Sequence, residues 1–196
     1  MNAQSKRVVI CIAGLTACGK STAAKRLAER FNLKYASGGT ALKELALKMG
    51  YKAQEKGWWE AAEGMRFLEQ RSRDSKFDKQ IDNELLKLAD HGNIIMDSWT
   101  MPWLYKEGFK IWLEVSPAER ARRLMGRDGI GMEDAKRIIK RKDGKTEEIY
   151  ERIYGFRIGE DYSPFDLILD SECLSAEEVF DVLRFVVERL VLKQSR

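Results

Sequence analysis

Eight consecutive residues near the start of the chain carry the clearest chemistry. In Gly14-Leu15-Thr16-Ala17-Cys18-Gly19-Lys20-Ser21 two glycines bracket four residues, and a lysine and a serine follow the second at once. Glycine permits backbone angles that turn N–H groups inward around a phosphate, and a helix starting at such a turn aims its positive end at the same point. Lys20 would reach the outer phosphates of a nucleoside triphosphate, and the Ser21 hydroxyl would hold Mg2+. The contact set expected of this loop is Gly14, Ala17, Cys18, Gly19, Lys20, Ser21 and Thr22. The plainer alternative is a glycine-rich turn that only caps a helix. Cys18 reads either as a thiol activated by a helix N-terminus or as a small side chain at a variable loop position, and the second is the simpler reading.

Two further places could serve the same chemistry. Asp97 ends an apolar stretch, where a carboxylate near the loop can orient the Mg2+ hydration shell or help activate an acceptor; an ordinary turn-capping aspartate has the same pattern. Trp99 and Trp103 follow, either lining a base pocket or filling core. Between Arg120 and Lys145 stand ten basic residues against four acids. Many must belong to solvated helix faces, but phosphoryl transfer needs cations over the moving group, and arginine's planar fork matches phosphate oxygens. Arg127, among Gly126, Gly129 and Gly131, and Arg141, some way down the following helix, are the expected catalytic cations.

The elements that must position these groups alternate. Val8–Ala13 is apolar on both faces, as a central parallel strand is. Leu33–Ala36, Asn93–Asp97, Phe109–Val115 and Phe165–Leu169 read as four more strands. Helical stripes start near Lys20, after Gly39 and at Ile81, and Met132–Gly155 reads as one charged helix. Tyr51–Phe77 reads as polar, marked by Trp58-Trp59. Ser116-Pro117-Ala118-Glu119 and Ser175-Ala176-Glu177-Glu178 have the form of capping boxes and open two more helices. Strands alternating with helices predict a doubly wound parallel sheet with right-handed crossovers.

Composition narrows the class. The chain has 196 residues, a net charge of +4, 44% hydrophobic and 34% charged residues. One domain with a real core and a heavily charged surface is expected. No apolar run approaches the roughly 20 residues of a membrane span. Met1–Arg7 is polar and lacks a secretory apolar region. Three irregularly spaced cysteines and one histidine exclude a disulfide framework and a histidine-rich metal centre. A cytoplasmic location is expected. No nucleic-acid module is recognisable, and nucleic acid is not an expected partner.

Taken in order, these motifs make the chain resemble, from Val8 to about Leu183, a nucleoside monophosphate kinase of the P-loop class, and most closely the archaeal-type cytidylate kinases. Tyr35-Ala36-Ser37-Gly38-Gly39-Thr40 is similar to that family's strand-to-helix turn at the acceptor nucleotide, with Ser37 and Gly38 the matching positions. Asp78-Lys79-Gln80-Ile81-Asp82 resembles its Asp-Arg-x-x-Asp segment, which makes Asp78 and Asp82 acceptor-site residues; Asp82 can accept a hydrogen bond from the exocyclic amine of cytosine. Arg127-Asp128-Gly129 resembles the entry to its lid, and Ile153-Tyr154-Gly155 with Phe165–Leu169 the exit and last strand.

The chain also departs from that pattern. Asp97-Ser98-Trp99 stands where the family usually has an acid, glycine and arginine. Glu147-Glu148-Ile149 precedes Tyr150 where a second lid arginine is usual. Arg141 or its neighbour Lys142 matches the first lid arginine, and Lys145 is the nearest substitute for the second. The resemblance implies a three-layer P-loop NTPase α/β sandwich with a five-stranded parallel sheet. An acceptor-binding insert of roughly residues 40–77 and a lid of roughly 128–158 would cover it. It also implies transfer of the γ-phosphoryl of ATP, with Mg2+, to a small phosphorylated acceptor such as CMP or dCMP. Another small nucleotide or metabolite as acceptor, or a slow ATPase switch serving a protein or RNA, stay open beside it.

Overall fold

The computed structural model describes residues 7–53 and 57–192. Most of the polar lead Met1–Arg7 lies outside the described residues, as does a short piece of the expected acceptor-binding insert. Five strands, β1 (Val9–Ala13), β2 (Lys34–Ser37), β3 (Ile94–Asp97), β4 (Phe109–Glu114) and β5 (Leu167–Asp170), form one parallel sheet in the order β2-β3-β1-β4-β5. The expected parallel doubly wound architecture is therefore what the chain adopts.

The strand most apolar in sequence, β1, sits at the centre and is buried along its whole length. Successive side chains of a strand face opposite ways. Ile10 and Ile12 face a core built with Ala24 and Leu27 of α1 (Lys20–Phe31) and Val179 and Leu183 of α8 (Ala176–Val186). Val9 and Cys11 face a second core with α2 (Gly38–Lys48) and α4 (Lys76–His91). Ile10 and Ile12 are fully buried, which contributes about 1.5–3 kcal/mol each.

Beyond the second core lie a 3-10 helix (Trp58–Glu60), α3 (Ala62–Arg73) and the short α5 (Met101–Leu104). On the other side of the site run α6 (Pro117–Asp128) and the 23-residue α7 (Met132–Tyr154). Ala121 and Leu124 of α6 pack on Ala135 and Ile139 of α7. Ile149 and Tyr150 of α7 pack on Met65 and Leu68 of α3. A π-helical turn (Val187–Leu192) ends the described chain.

Three local expectations change. The stretch Tyr51–Phe77 contains α3. Its Met65, Phe67 and Leu68 are buried, and Arg71 on the same helix is buried too, so a charged residue stands where the apolar stripe would continue. The last strand begins two residues later than expected, because Phe165 turns into an aromatic cluster with Trp103 and Trp112. Ser175 forms the full reciprocal box, but Ser116 only half of one. Ser116 accepts from the Glu119 N–H while Glu119 turns to Arg122 and Arg123, and the Ser116 N–H donates to Glu172 (2.8 Å).

The 3-10 helix and the start of α3 approach so closely that a Cβ on Gly64 would stand 2.2 Å from the Trp58 carbonyl oxygen. Gly64→Ala should therefore cost about 1–3 kcal/mol of overpacking, read as a lowered urea midpoint with unchanged slope.

Candidate active site

Register sets the site. Across the carboxyl ends of the strands Ile12 pairs with Asp97 and Asp97 with Ser37, so the loops leaving β1, β2 and β3 open side by side. In open α/β sheets this is where ligands bind.

The loop after β1 wraps tightly. Gly14 has φ +151°, and a Cβ there would meet Cys18 Sγ at 2.6 Å and the Leu113 carbonyl oxygen at 2.7 Å, so only glycine fits. Ala17 has φ 66°, a left-handed conformation unusual for a residue with a side chain and typical of strained functional loops. Gly19 is left-handed as well and leads directly into α1. Cys18 is buried, and burial pushes its thiol up from the ordinary value, which agrees with the inert reading.

Two arginines of α6 brace this loop from outside. Arg123 Nη1 donates to the Cys18 carbonyl (3.1 Å) and its Nη2 to that of Ser171 (2.6 Å). Arg120 Nη1 donates to the Thr16 carbonyl (3.2 Å) and to Asp143 of α7 (2.5 Å), whose other oxygen accepts from the Thr16 N–H (3.2 Å). Arg120 and Asp143 are both buried. Through this pair α7 is tied to the phosphate loop.

At the loop's end Ser21 Oγ donates to Asp97 Oδ2, and Tyr35 Oη donates to the same oxygen at 3.3 Å. A hydroxyl and a carboxylate thus converge at the start of α1. These are oxygen donors of the kind Mg2+ takes beside substrate phosphates and water. Among the described residues there is no group of three or more His, Cys, Asp or Glu that could hold a metal ion on its own. Lys20 Nζ donates to the Leu15 carbonyl (3.3 Å) and lies 5.7 Å from the centre of the Trp99 ring.

One cavity of about 630 Å3 runs from this loop across the sheet ends. At the far side, Asp82 is buried and accepts from Thr100 Oγ1 (2.6 Å) and Tyr154 Oη (2.6 Å). Burial pushes its carboxyl up to about 6, against the pull of those two hydrogen bonds. Beside it Arg71 grips Asp78 through Nε (3.2 Å) and Nη2 (2.5 Å), and Nη2 also reaches Tyr150 Oη (3.2 Å). Ser37 caps α2 by accepting from the Thr40 N–H (3.2 Å), with Gly38 next to it on the wall.

The lid side of the cavity differs from the sequence expectation. Arg127 lines it, paired with Asp128 (2.7 Å) and Glu60 (3.0 Å). Arg141 does not. Its side chain is half-exposed and paired with Glu69 of α3 at 3.2 Å. The neighbouring Lys142 lines the cavity instead, paired with Glu60 at 2.6 Å. Consecutive helix residues point about 100° apart, so only one of the two can face inward. Of the other expected contacts, Ala17 through Thr22, Ser37, Gly38, Asp78, Asp82 and Asp97 all line the cavity, while Gly14 shapes the loop from behind it.

Sequence reasoning missed Arg71 and Glu60 as wall residues, Thr100 and Tyr154 as the groups that hold Asp82, and Arg120 and Arg123 as braces. Nothing local marks Arg71 or Glu60. Arg120 and Arg123 were visible only as part of a charge run, in which braces and solvated residues look alike.

The chain is similar to known proteins over nearly its whole length. Cytidylate kinase of Pyrococcus horikoshii is 27% identical over 185 residues, covering 94% of this chain and 90% of that one. Cytidylate kinase of Pyrobaculum islandicum is 31% identical over 192 residues, covering 96% and 98%. Among solved structures, a shikimate kinase from Bacteroides thetaiotaomicron superposes with a TM-score of 0.55 at 17% identity, covering 92% of this chain and 98% of that one, and shares its fold. Residues 9–173 match the profile of the cytidylate kinase-like family, from the central strand to beyond the last one, and the chain belongs to that family.

Proposed function

We propose that the protein transfers the γ-phosphoryl of ATP to a pyrimidine nucleoside monophosphate, CMP or dCMP. The observation that carries this reading is the single cavity joining the phosphate loop to the buried Asp78–Asp82 wall. At one end Lys20 and the loop amides hold the donor phosphates. At the other, Asp82 offers carboxylate oxygens to an exocyclic amine, held in place by Thr100 and Tyr154. Ser21 and Asp97 would hold Mg2+, which when bound neutralises charge on the donor phosphates. Arg127 and Lys142 add positive charge over the phosphoryl group in flight. The sequence resemblance would put an arginine at Trp99, so acceptor phosphate binding falls to Arg71 and Lys142, which line the cavity. Catalysis is then positioning and charge stabilisation, with the lid helix excluding water. This is chemistry of the cytoplasm, where ATP and nucleoside monophosphates occur together.

ADP formation from ATP and Mg2+ against a panel of nucleoside monophosphates tests the acceptor. Stimulation by CMP and dCMP, lost in Lys20→Ala, is expected. Stimulation by a different acceptor alone moves the specificity, and slow turnover that no acceptor stimulates removes the reading. The two lid cations should separate kinetically. Lys142→Ala should lower kcat by at least about 100-fold, as loss of a transition-state donor does. Arg141→Ala should stay within about threefold, the scale of an exposed ion pair.

Asp82 also predicts a pH dependence. Its folded value of about 6 lies above the roughly 3.9 of an unfolded aspartate. Between those values the folded state holds a proton that the unfolded state does not, so this group favours folding as pH falls from 7 to 5, by about 1 kcal/mol. Urea midpoints at both pH values should show that increment in the unaltered chain relative to Asp82→Asn.

A further inference from the structure

Glu60 sits where a carboxylate is hard to explain as scaffold. Its side chain is 7% exposed and lines the same cavity as Lys20 and Ser21. It bridges Lys142 of α7 (2.6 Å) and Arg127 at the end of α6 (3.0 Å). Burial alone would raise the Glu60 carboxyl, but Lys142 and then Arg127 override this and hold it below the usual carboxylate range, so it is an anion. Lys142 in turn feels the like charge of Lys20 across the cavity, and burial pulls its ammonium down. Two cations gathered on one wall of the cavity beside a third need a counter-charge, and Glu60 supplies it from a three-residue helix.

That counter-charge stands among the cations a phosphate tail would also seek. A polyphosphate between Lys20 and Lys142 brings several negative charges next to the carboxylate, and both cannot keep the same cations without repulsion. The supporting element is small enough to shift. Gly57 before it is left-handed, Ala61 after it is extended, and Trp59 tethers it by donating to the Gly39 carbonyl (3.2 Å). Asp128 already takes two hydrogen bonds from Arg127, so that arginine stays partnered if Glu60 leaves.

We propose that Glu60 is a positioning residue whose carboxylate holds Lys142 and Arg127 in the empty enzyme and gives them up to the phosphates of a bound nucleotide. It keeps the lid helix docked and its cations aimed inward before substrate arrives, at a cost in affinity, because each binding event must displace it. This rests on the reading of the cavity as a nucleotide site. The same α3–α7 seam has an outer ion pair, Glu69 with Arg141 (3.2 Å) and Lys145 (3.1 Å), which does not line the cavity and serves as a control.

Calorimetric titration of ATP with Mg2+, without acceptor, into the unaltered chain, Glu60→Gln and Glu69→Gln tests this. Glu60→Gln should bind ATP about five- to tenfold more tightly at low salt, an advantage that shrinks as salt screens the charge, with a matching fall in KM for ATP. Glu69→Gln should stay within about twofold of the unaltered chain. Equal or weaker binding by Glu60→Gln overturns the proposal, since a merely structural glutamate would weaken binding when removed. Absence of ATP binding in the unaltered chain overturns the nucleotide reading and the proposal together, whereas normal binding there with no gain in Glu60→Gln overturns only the proposal. Hydrogen exchange on the unaltered chain gives a reading that needs no variant. Amides of Trp58–Glu60 should exchange faster with inorganic tripolyphosphate bound, and unchanged or slower exchange counts against displacement.

Discussion

A polyphosphate can be gripped only where positive charge is gathered in one place and kept from collapsing or repelling itself, and most of this structure serves that demand. The cations around the cavity come with anions: the buried Arg120 with Asp143, the buried Arg71 with Asp78, and the half-buried Lys142 with Glu60. Leaving one member of such a pair alone in the interior costs about 3–5 kcal/mol, more than most single contacts contribute. The pairs also cross between elements. Arg120–Asp143 fastens α6 to α7 and both to the phosphate loop, and Lys142–Glu60 fastens α7 to the 3-10 helix. The walls of the site are therefore joined by the same charges that make it attractive to phosphate.

The sheet provides the rigid end of the arrangement. Because β1 lies between β3 and β4 and is buried on both faces, the turn after it cannot drift relative to Asp97 on β3. Ser21 of α1 and Tyr35 of β2 meet at one oxygen of Asp97 on β3. The strain at Ala17 is borne by a loop braced on two sides by Arg120 and Arg123.

Membership of the cytidylate kinase-like family rests on a match across most of the chain, residues 9–173. In the cavity Trp99 places its ring beside Lys20. Lys142 and the buried Arg71 supply cations to the cavity wall. Trp59, 5.6 Å from Arg71 and 5.8 Å from Lys142, packs between the two.

The phosphate loop, the five strands and the parallel winding were legible in the linear sequence because each rests on local physics: glycines where the backbone must turn, unbroken apolar runs where both faces are covered, and capping serines where helices begin. Asp97 was legible as a candidate because it ends an apolar strand, and Asp82 only through the resemblance of Asp78–Asp82 to a family segment. What only the folded chain decided is which charges face inward. Whether Arg141 or Lys142 enters the cavity depends on the rotation of a 23-residue helix set by packing of Ile139, Ile149 and Tyr150. That Arg71 belongs inside depends on Asp78 being brought to it by the next helix. A charged residue carries no sign in sequence of whether a distant partner will let it be buried, and burial is what turns these charges into a site.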